Sequence, residues 1–289
     1  MGFLRNHLLQ FYRFLFVMPA HGVFYNILRK YLPALKTEPP LPHPIDKFYG
    51  IDTSGSLFGP ALQSGKLSAD AYITGYAGSQ PSIVRKILQL IPNLENTTFL
   101  DLGCGKGRAL AIASEYPFRD IIGIEISRKL AETARANAQI IGSRFPERTP
   151  ITVLEGDAAN IMLPEGRVIV FLYNPFYKPL MKKLVANIHR ALTANPKKKI
   201  FIVYANPLYA ALFDKSPFFR RFFAADIAYD ASEQGTGTTR SDKDDTIVIW
   251  ESVGDDMLPP HPGADASVFL TEAGWRARVS RPTNNQKSD

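Results

Sequence analysis

Residues 97–116 read TTFLDLGCGKGRALAIASEY, and this stretch decides the fold. Residues 97–104 form a short, mostly apolar run of the length of a buried strand, and residues 108–116 have helical composition. Between them stand Gly103, Gly105 and Gly107. Glycines at a strand-to-helix turn let the backbone approach a ligand closely, and the helix N-terminus favours negative charge. The alternation continues outward, with strands predicted over 120–127, 151–158, 167–174 and 198–206. Helices are predicted over 128–141, 178–194 and 207–215. Apolar strands separated by helices indicate a parallel sheet covered on both faces. The last two strands, 222–230 and 245–252, are joined by a polar, Gly-containing stretch without a helix, which predicts an antiparallel final strand.

Three acidic residues fall at the ends of the first three strands: Asp101, Glu125 and Asp157. Glu125 follows Gly103 by 22 residues, where a carboxylate can accept bonds from both hydroxyls of a ribose. A dinucleotide fold calls for G-x-G-x-x-G behind an apolar residue. Here the spacing is G-x-G-x-G, Arg108 stands in place of the third glycine, and Asp101 takes the apolar position. A carboxylate there repels a pyrophosphate but can hold an ammonium group. A ligand with adenine, ribose and an amino acid terminus suits the three acids better, and S-adenosylmethionine is such a ligand. A nicotinamide cofactor and a glycine turn without a ligand are the competing readings.

With these residues the sequence resembles the class I S-adenosylmethionine-dependent methyltransferases over about residues 76–252. The resemblance implies a three-layer Rossmann-like α/β fold, its sheet mostly parallel with an antiparallel last strand. It implies that Asp101 positions the methionine amino group and that Gly103, Gly105 and Gly107 pass beneath the amino acid part. It further implies that Glu125 grips the ribose, that Asp157 and the Ala158 amide meet the adenine edge, and that Tyr76 closes over the methionine end. Leu172-Tyr-Asn174-Pro175-Phe176-Tyr177 resembles the Asn/Asp-Pro-Pro-Tyr/Phe motif of amino-group methyltransferases, without its second proline. In that motif the Asn oxygen accepts from the target NH₂, which would give Asn174, Pro175 and Phe176 the acceptor side of the site. The run DLGCGKGRALAIASEYPF followed by GIEIS also looks like uncharacterised bacterial methyltransferases distantly similar to the non-SET histone-lysine methyltransferases. The expected activity is methyl transfer to an amine of a protein or small molecule. The alternatives are an O- or C-acceptor on a membrane-associated small molecule, a non-catalytic S-adenosylmethionine-binding adaptor and an NAD-dependent oxidoreductase.

Composition bounds the rest. The 289 residues are 45% hydrophobic and 21% charged, ordinary for a globular protein, which excludes collagen-like and coiled-coil readings. A single cysteine, Cys104, forbids an intrachain disulfide, and the five histidines lack metal-ligand spacing, so no metal is expected. The expected compartment is the cytoplasm. Of the net charge of +7, residues 1–36 carry +5, through Arg5, Arg13, Arg29, Lys30 and Lys36 without any Asp or Glu. That distribution argues against a general nucleic-acid face and for something local. Residues 3–17 read as a basic amphipathic helix, either lying on an anionic membrane surface or packed on the main domain. Arg13 and Arg29 interrupt any transmembrane span. The expected organisation is a helical extension with a Pro-rich linker over 1–60, a catalytic domain over 61–252 and a mostly disordered tail over 253–289, with a short helix within 267–279. The 231–244 loop reads as a substrate lid or as a hairpin tip. Lys197–Lys199 read as a solvated turn.

Overall fold

The computed structural model describes residues 41–57, 75–237, 242–266, 268–272 and 275–279. The expectations for the first 40 residues, including the amphipathic helix and its membrane contact, lie outside the described residues. Strands β1 (Ser56–Leu57) and β2 (Tyr76–Ala77) pair with each other, antiparallel. The main sheet contains β3 (Thr97–Leu102), β4 (Asp120–Glu125), β5 (Ile151–Glu155), β6 (Arg167–Tyr173), β7 (Ile200–Ala205), β8 (Phe219–Ala228) and β9 (Asp244–Ser252). Its order is β5-β4-β3-β6-β7-β9-β8. The first five of these run parallel, and β9 lies antiparallel to both β7 and β8. The chain therefore starts in the middle of the sheet, runs outward to β5 and returns through β6. That reversal opens a crevice at the carboxyl ends of β3 and β6, where α/β proteins bind ligands.

The strands are buried on both faces because successive residues feed two different cores. Phe99, Ile169, Phe171, Phe201 and Val203 pack on one side with helices α2 (Pro81–Leu88), α3 (Arg108–Ala113) and α4 (Arg128–Arg144). Leu100, Leu102, Val168, Val170 and Ile202 pack on the other with Met181, Leu184 and Ile188 of α5 (Lys178–Ala194). No helix of the described residues is long and apolar enough to cross a membrane.

Several boundaries differ from the sequence reading. Pro44 is not part of an extended linker; it opens α1 (Pro44–Tyr49), whose N-cap is His43. Proline suits the first helical turn, where its missing N–H is not needed. Ile45, Tyr49 and Ile51 are buried in the core with α2 and α3, so this segment is part of the domain. The helix predicted at 207–215 narrows to α6 (Ala211–Asp214). At the other end, Ala264 is buried and the His261 amide donates to the Phe222 carbonyl at 2.9 Å, so the chain continues in contact with β8 beyond Ser252. The short helix expected within 267–279 is instead an antiparallel pair, β10 (Val268–Glu272) and β11 (Trp275–Val279). β-Branched and aromatic residues within both segments favour extended strands over a helix. Lys198 and Lys199 are buried rather than solvated, because Glu251 of β9 stands 2.7 Å from the Lys199 ammonium.

The described part of the β8–β9 connection is docked. Glu233 is buried, and its carboxylate accepts from the Ser82 amide at 2.8 Å and from the Ser82 hydroxyl at the start of α2. Thr236 donates to the Gln80 side chain at 3.1 Å, and Leu41 N donates to the Gly235 carbonyl at 3.0 Å. A carboxylate on the unpaired amides of a helix N-terminus satisfies donors and complements the helix dipole. Replacing Glu233 by Gln, which keeps the shape and removes the charge, should lower unfolding free energy by about 1–3 kcal/mol in urea titrations. An unchanged midpoint would show that this strap does not hold the domain.

Candidate active site

The site is built on strand ends. The amides of Gly103 and Cys104 donate to the Ile124 carbonyl at 2.8 and 3.0 Å, which ties the glycine loop to β4. The Gly105 amide donates to Glu125 Oε2 at 2.9 Å, and the Ser127 amide to Glu125 Oε1 at 2.8 Å. An ionised carboxylate offers about four acceptor positions, so two backbone bonds fix its orientation and leave capacity on each oxygen. Asp101 sits one strand away, paired across the ladder with Gly123, and is 4% exposed.

Two glycines are required by close approach. A Cβ on Gly103 would stand 2.9 Å from Pro175 Cβ, and one on Gly105 would stand 2.3 Å from the ring of Tyr76. Both also have positive φ, 83° and 55°, a region that side chains resist. Gly107 serves differently. With φ of 82° it caps α3, and a Cβ there would be 3.4 Å from Ala134 Cβ, so its smallness lets α3 and α4 pack.

One cleft gathers most of the residues singled out from sequence: Tyr76, Asp101, Gly103, Gly105, Glu125, Asp157, Ala158, Pro175 and Phe176. Gly107 and Asn174 do not line it. Asp157 caps a short 3-10 turn by accepting from the Ala159 amide at 2.9 Å. Tyr76 lies at the cleft wall, its hydroxyl donating to the Thr53 carbonyl at 2.6 Å, so its ring is held beside the glycine loop. Asn174 is buried, with a left-handed φ of 41°, and its Oδ1 accepts from the Tyr204 hydroxyl at 3.1 Å. The amide assigned to an acceptor by motif is thus anchored to the neighbouring strand. Cys104 is buried and its thiol is pushed well up by burial, so it is a packing residue rather than a nucleophile. The described residues contain no group of three or more His, Cys, Asp or Glu able to hold a metal.

Arg108 and Tyr173 also line this cleft, and sequence reasoning gave neither a place in it. Arg108 is 3% exposed and donates to Thr53 Oγ1 at 2.7 Å, Thr53 O at 2.8 Å and Gly78 O at 3.1 Å. It clamps the 51–54 segment and the approach to α2 against the glycine loop. The signal was its unusual position where a third glycine was expected.

Burial first, and then the Glu125 charge, pushes the Asp101 carboxyl up to about 8. Burial also raises Glu125, against the pull of the Ser127, Gly105 and Ile126 amides. Among the described residues, no Lys or Arg forms an ion pair with either carboxylate. Two buried carboxyls without a cation partner among the described residues make a site that gains from a positively charged ligand, which favours their ionised forms.

Residues 99–195 match the family model described as "Methyltransferase domain". By this match the segment is a methyltransferase domain. It starts in β3 and ends just after α5, so it contains every cleft residue named above except Tyr76. The chain is also similar to an uncharacterised protein of Haemophilus influenzae, 32% identical over 111 residues. That alignment covers 38% of this chain and 43% of the relative, so less than half of the relative is matched. Among solved structures, an RNA methyltransferase from Salinibacter ruber in complex with S-adenosyl-L-homocysteine matches with a TM-score of 0.40 and 18% identity, over 63% of this chain and 97% of that one. TrmN from Thermus thermophilus matches with a TM-score of 0.43 and 18% identity, over 60% and 49%. Likenesses at this level carry nothing about the acceptor.

The raised Asp101 carboxyl has a measurable consequence. If it faces an ammonium group, only its ionised form attracts that group, so protonation below pH 8 should weaken binding. S-adenosylhomocysteine affinity should rise by up to about tenfold per pH unit between pH 5.5 and 7. In titration calorimetry Asp101→Asn should flatten that slope; a parallel slope in the variant would place the titrating group elsewhere.

Proposed function

We propose that this chain transfers the methyl group of S-adenosylmethionine to an amine. The observation that carries the acceptor side is the seating of Pro175 directly against Gly103, with Phe176 in the same cleft and Asn174 buried just behind them. The cofactor side rests on fit. The smallness of Gly103 and Gly105 lets Pro175 and Tyr76 close directly on the loop, and Asp101 and Glu125, without a cation partner among the described residues, suit a cation with an attached ribose.

When bound, the cofactor supplies an electrophilic methyl carbon on a positively charged sulfur. The chain itself then has little covalent work to do. Asp101 holds the amino group, Glu125 takes the ribose hydroxyls on its remaining acceptor positions, and Asp157 with the Ala158 amide meets the base. Tyr76 and Phe176 exclude water from the reacting end. Asn174 and Pro175 orient the acceptor nitrogen, so that alignment rather than a strong base lowers the barrier.

Calorimetry separates this reading from its competitors. S-adenosylhomocysteine should bind and NAD should not; NAD binding alone would replace the proposal with an oxidoreductase. Glu125→Ala should weaken S-adenosylhomocysteine by about 1–3 kcal/mol through lost charge-assisted bonds. With radiolabelled methyl donor and fractionated cell extract, the label should enter amine-bearing material. Asn174→Ala should retain cofactor binding while losing that transfer, and an unaltered transfer rate would remove Asn174 from the acceptor side.

A further inference from the structure

A second polar cluster lies on the same sheet edge, at the ends of β6, β7, β9 and β8, one to four strands beyond the glycine loop. Asp245, near the start of β9, is 2% exposed. Its Oδ1 accepts three hydrogen bonds, from Asn206 Nδ2 at 2.8 Å and from the hydroxyls of Tyr173 and Tyr229 at 3.1 Å each. Its Oδ2 is buried and takes no hydrogen bond. Among the described residues no Lys, Arg or His forms an ion pair with it, and the charged group acting on it is another acid, Asp242. Burial and that neighbour raise its carboxyl to about 6.

The cluster is held deliberately. Asn206 ends β7 in a left-handed conformation, φ 50°, as Asn174 ends β6. Its amide donates to the Thr246 carbonyl at 2.7 Å and its Oδ1 accepts from the Thr246 amide at 3.1 Å, which leaves Nδ2 directed at Asp245. A non-glycine residue in that region is unfavourable and persists where surrounding bonds over-determine it. Tyr173 connects the cluster to the cleft, since the residue lines the cleft and its hydroxyl reaches Asp245. All three donors crowd one oxygen, so the other stays unpaired inside the protein. A buried carboxylate oxygen without a donor is costly, and such orphans call for an explanation in a ligand.

We propose that Asp245 anchors the acceptor subsite, its unpaired Oδ2 receiving the N–H of a protonated amine brought in beside Tyr173 and taking that proton, so that the neutral nitrogen's lone pair is free to attack the methyl carbon. This deepens the amine reading above and rests on it for the word acceptor, while the cation site itself stands on the cluster alone. A cationic amine supplies both things the cluster lacks, a donor for Oδ2 and a positive charge. A neutral hydroxyl supplies only the first.

The test uses the full chain with S-adenosylhomocysteine and takes n-butylammonium as probe, n-butanol as its neutral counterpart and adenosine as a neutral amino-bearing one. Butylammonium should bind saturably and shift the Asp245 carboxyl carbon in NMR spectra, and butanol and adenosine should not. Asp245→Asn should weaken butylammonium at least tenfold and leave S-adenosylhomocysteine affinity unchanged. If that variant fails to fold, the carboxyl shift in the unsubstituted protein decides alone. An unmoved Asp245 signal, equal binding of butanol, or a preference for adenosine would overturn the proposal. Failure of S-adenosylhomocysteine to bind would instead overturn the methyltransferase reading, and the carboxyl shift would still report on the cation site.

Discussion

The burial of two carboxylates at adjacent strand tips is the constraint on which the rest of this structure depends. Asp101 and Glu125 sit in the interior end of a parallel sheet, with no cation among the described residues paired to either. Desolvating an anion is expensive, and like charges near one another raise the cost. The protein offsets part of it with backbone amides: Gly105 and Ser127 donate to Glu125. Those same bonds shape the glycine loop. The loop is therefore poised by the charge it neighbours, and what remains unbalanced is an attraction for a cationic ligand.

Around that centre the chain closes the cleft with segments from outside the alternating core. Arg108 reaches from the first turn of α3 to Thr53 and Gly78, and Tyr76 reaches from β2 to the same Thr53 carbonyl. The segment that carries Thr53 is held in turn by Asp46, which accepts from the Thr53 amide at 3.0 Å. From the opposite end of the domain, Glu233 and Thr236 dock on the start of α2. Two stretches far apart in sequence thus brace one wall, and an inserted positive charge, Arg108, stands where a third glycine would have left space.

The acceptor edge repeats one device. Asn174-Pro175 and Asn206-Pro207 end neighbouring strands, both asparagines left-handed and both bonded across to the next strand. Asparagine tolerates this conformation better than other side chains, and the proline that follows stops the strand. The first pair presses on the glycine loop; the second orients Asp245.

What could be read from the sequence alone was what local patterning encodes. Alternating apolar runs and helical segments announced the sheet, and β3, β4 and α5 lie close to where periodicity put them, because strands buried on both faces and long amphipathic helices leave strong signals. The glycine spacing with Asp101 and Glu125 was legible for the same reason: a strand, a turn and a helix in immediate succession. The end of the chain was misjudged, since a five-residue strand in a hairpin carries little periodicity to read. Only the tertiary structure decided which oxygen of Asp245 was left unpaired, that Glu251 draws Lys199 inside, and that Arg108 braces Thr53. Each depends on side chains tens of residues apart meeting across the sheet edge, and no one-dimensional spacing encodes a distance between strands that are not neighbours in sequence.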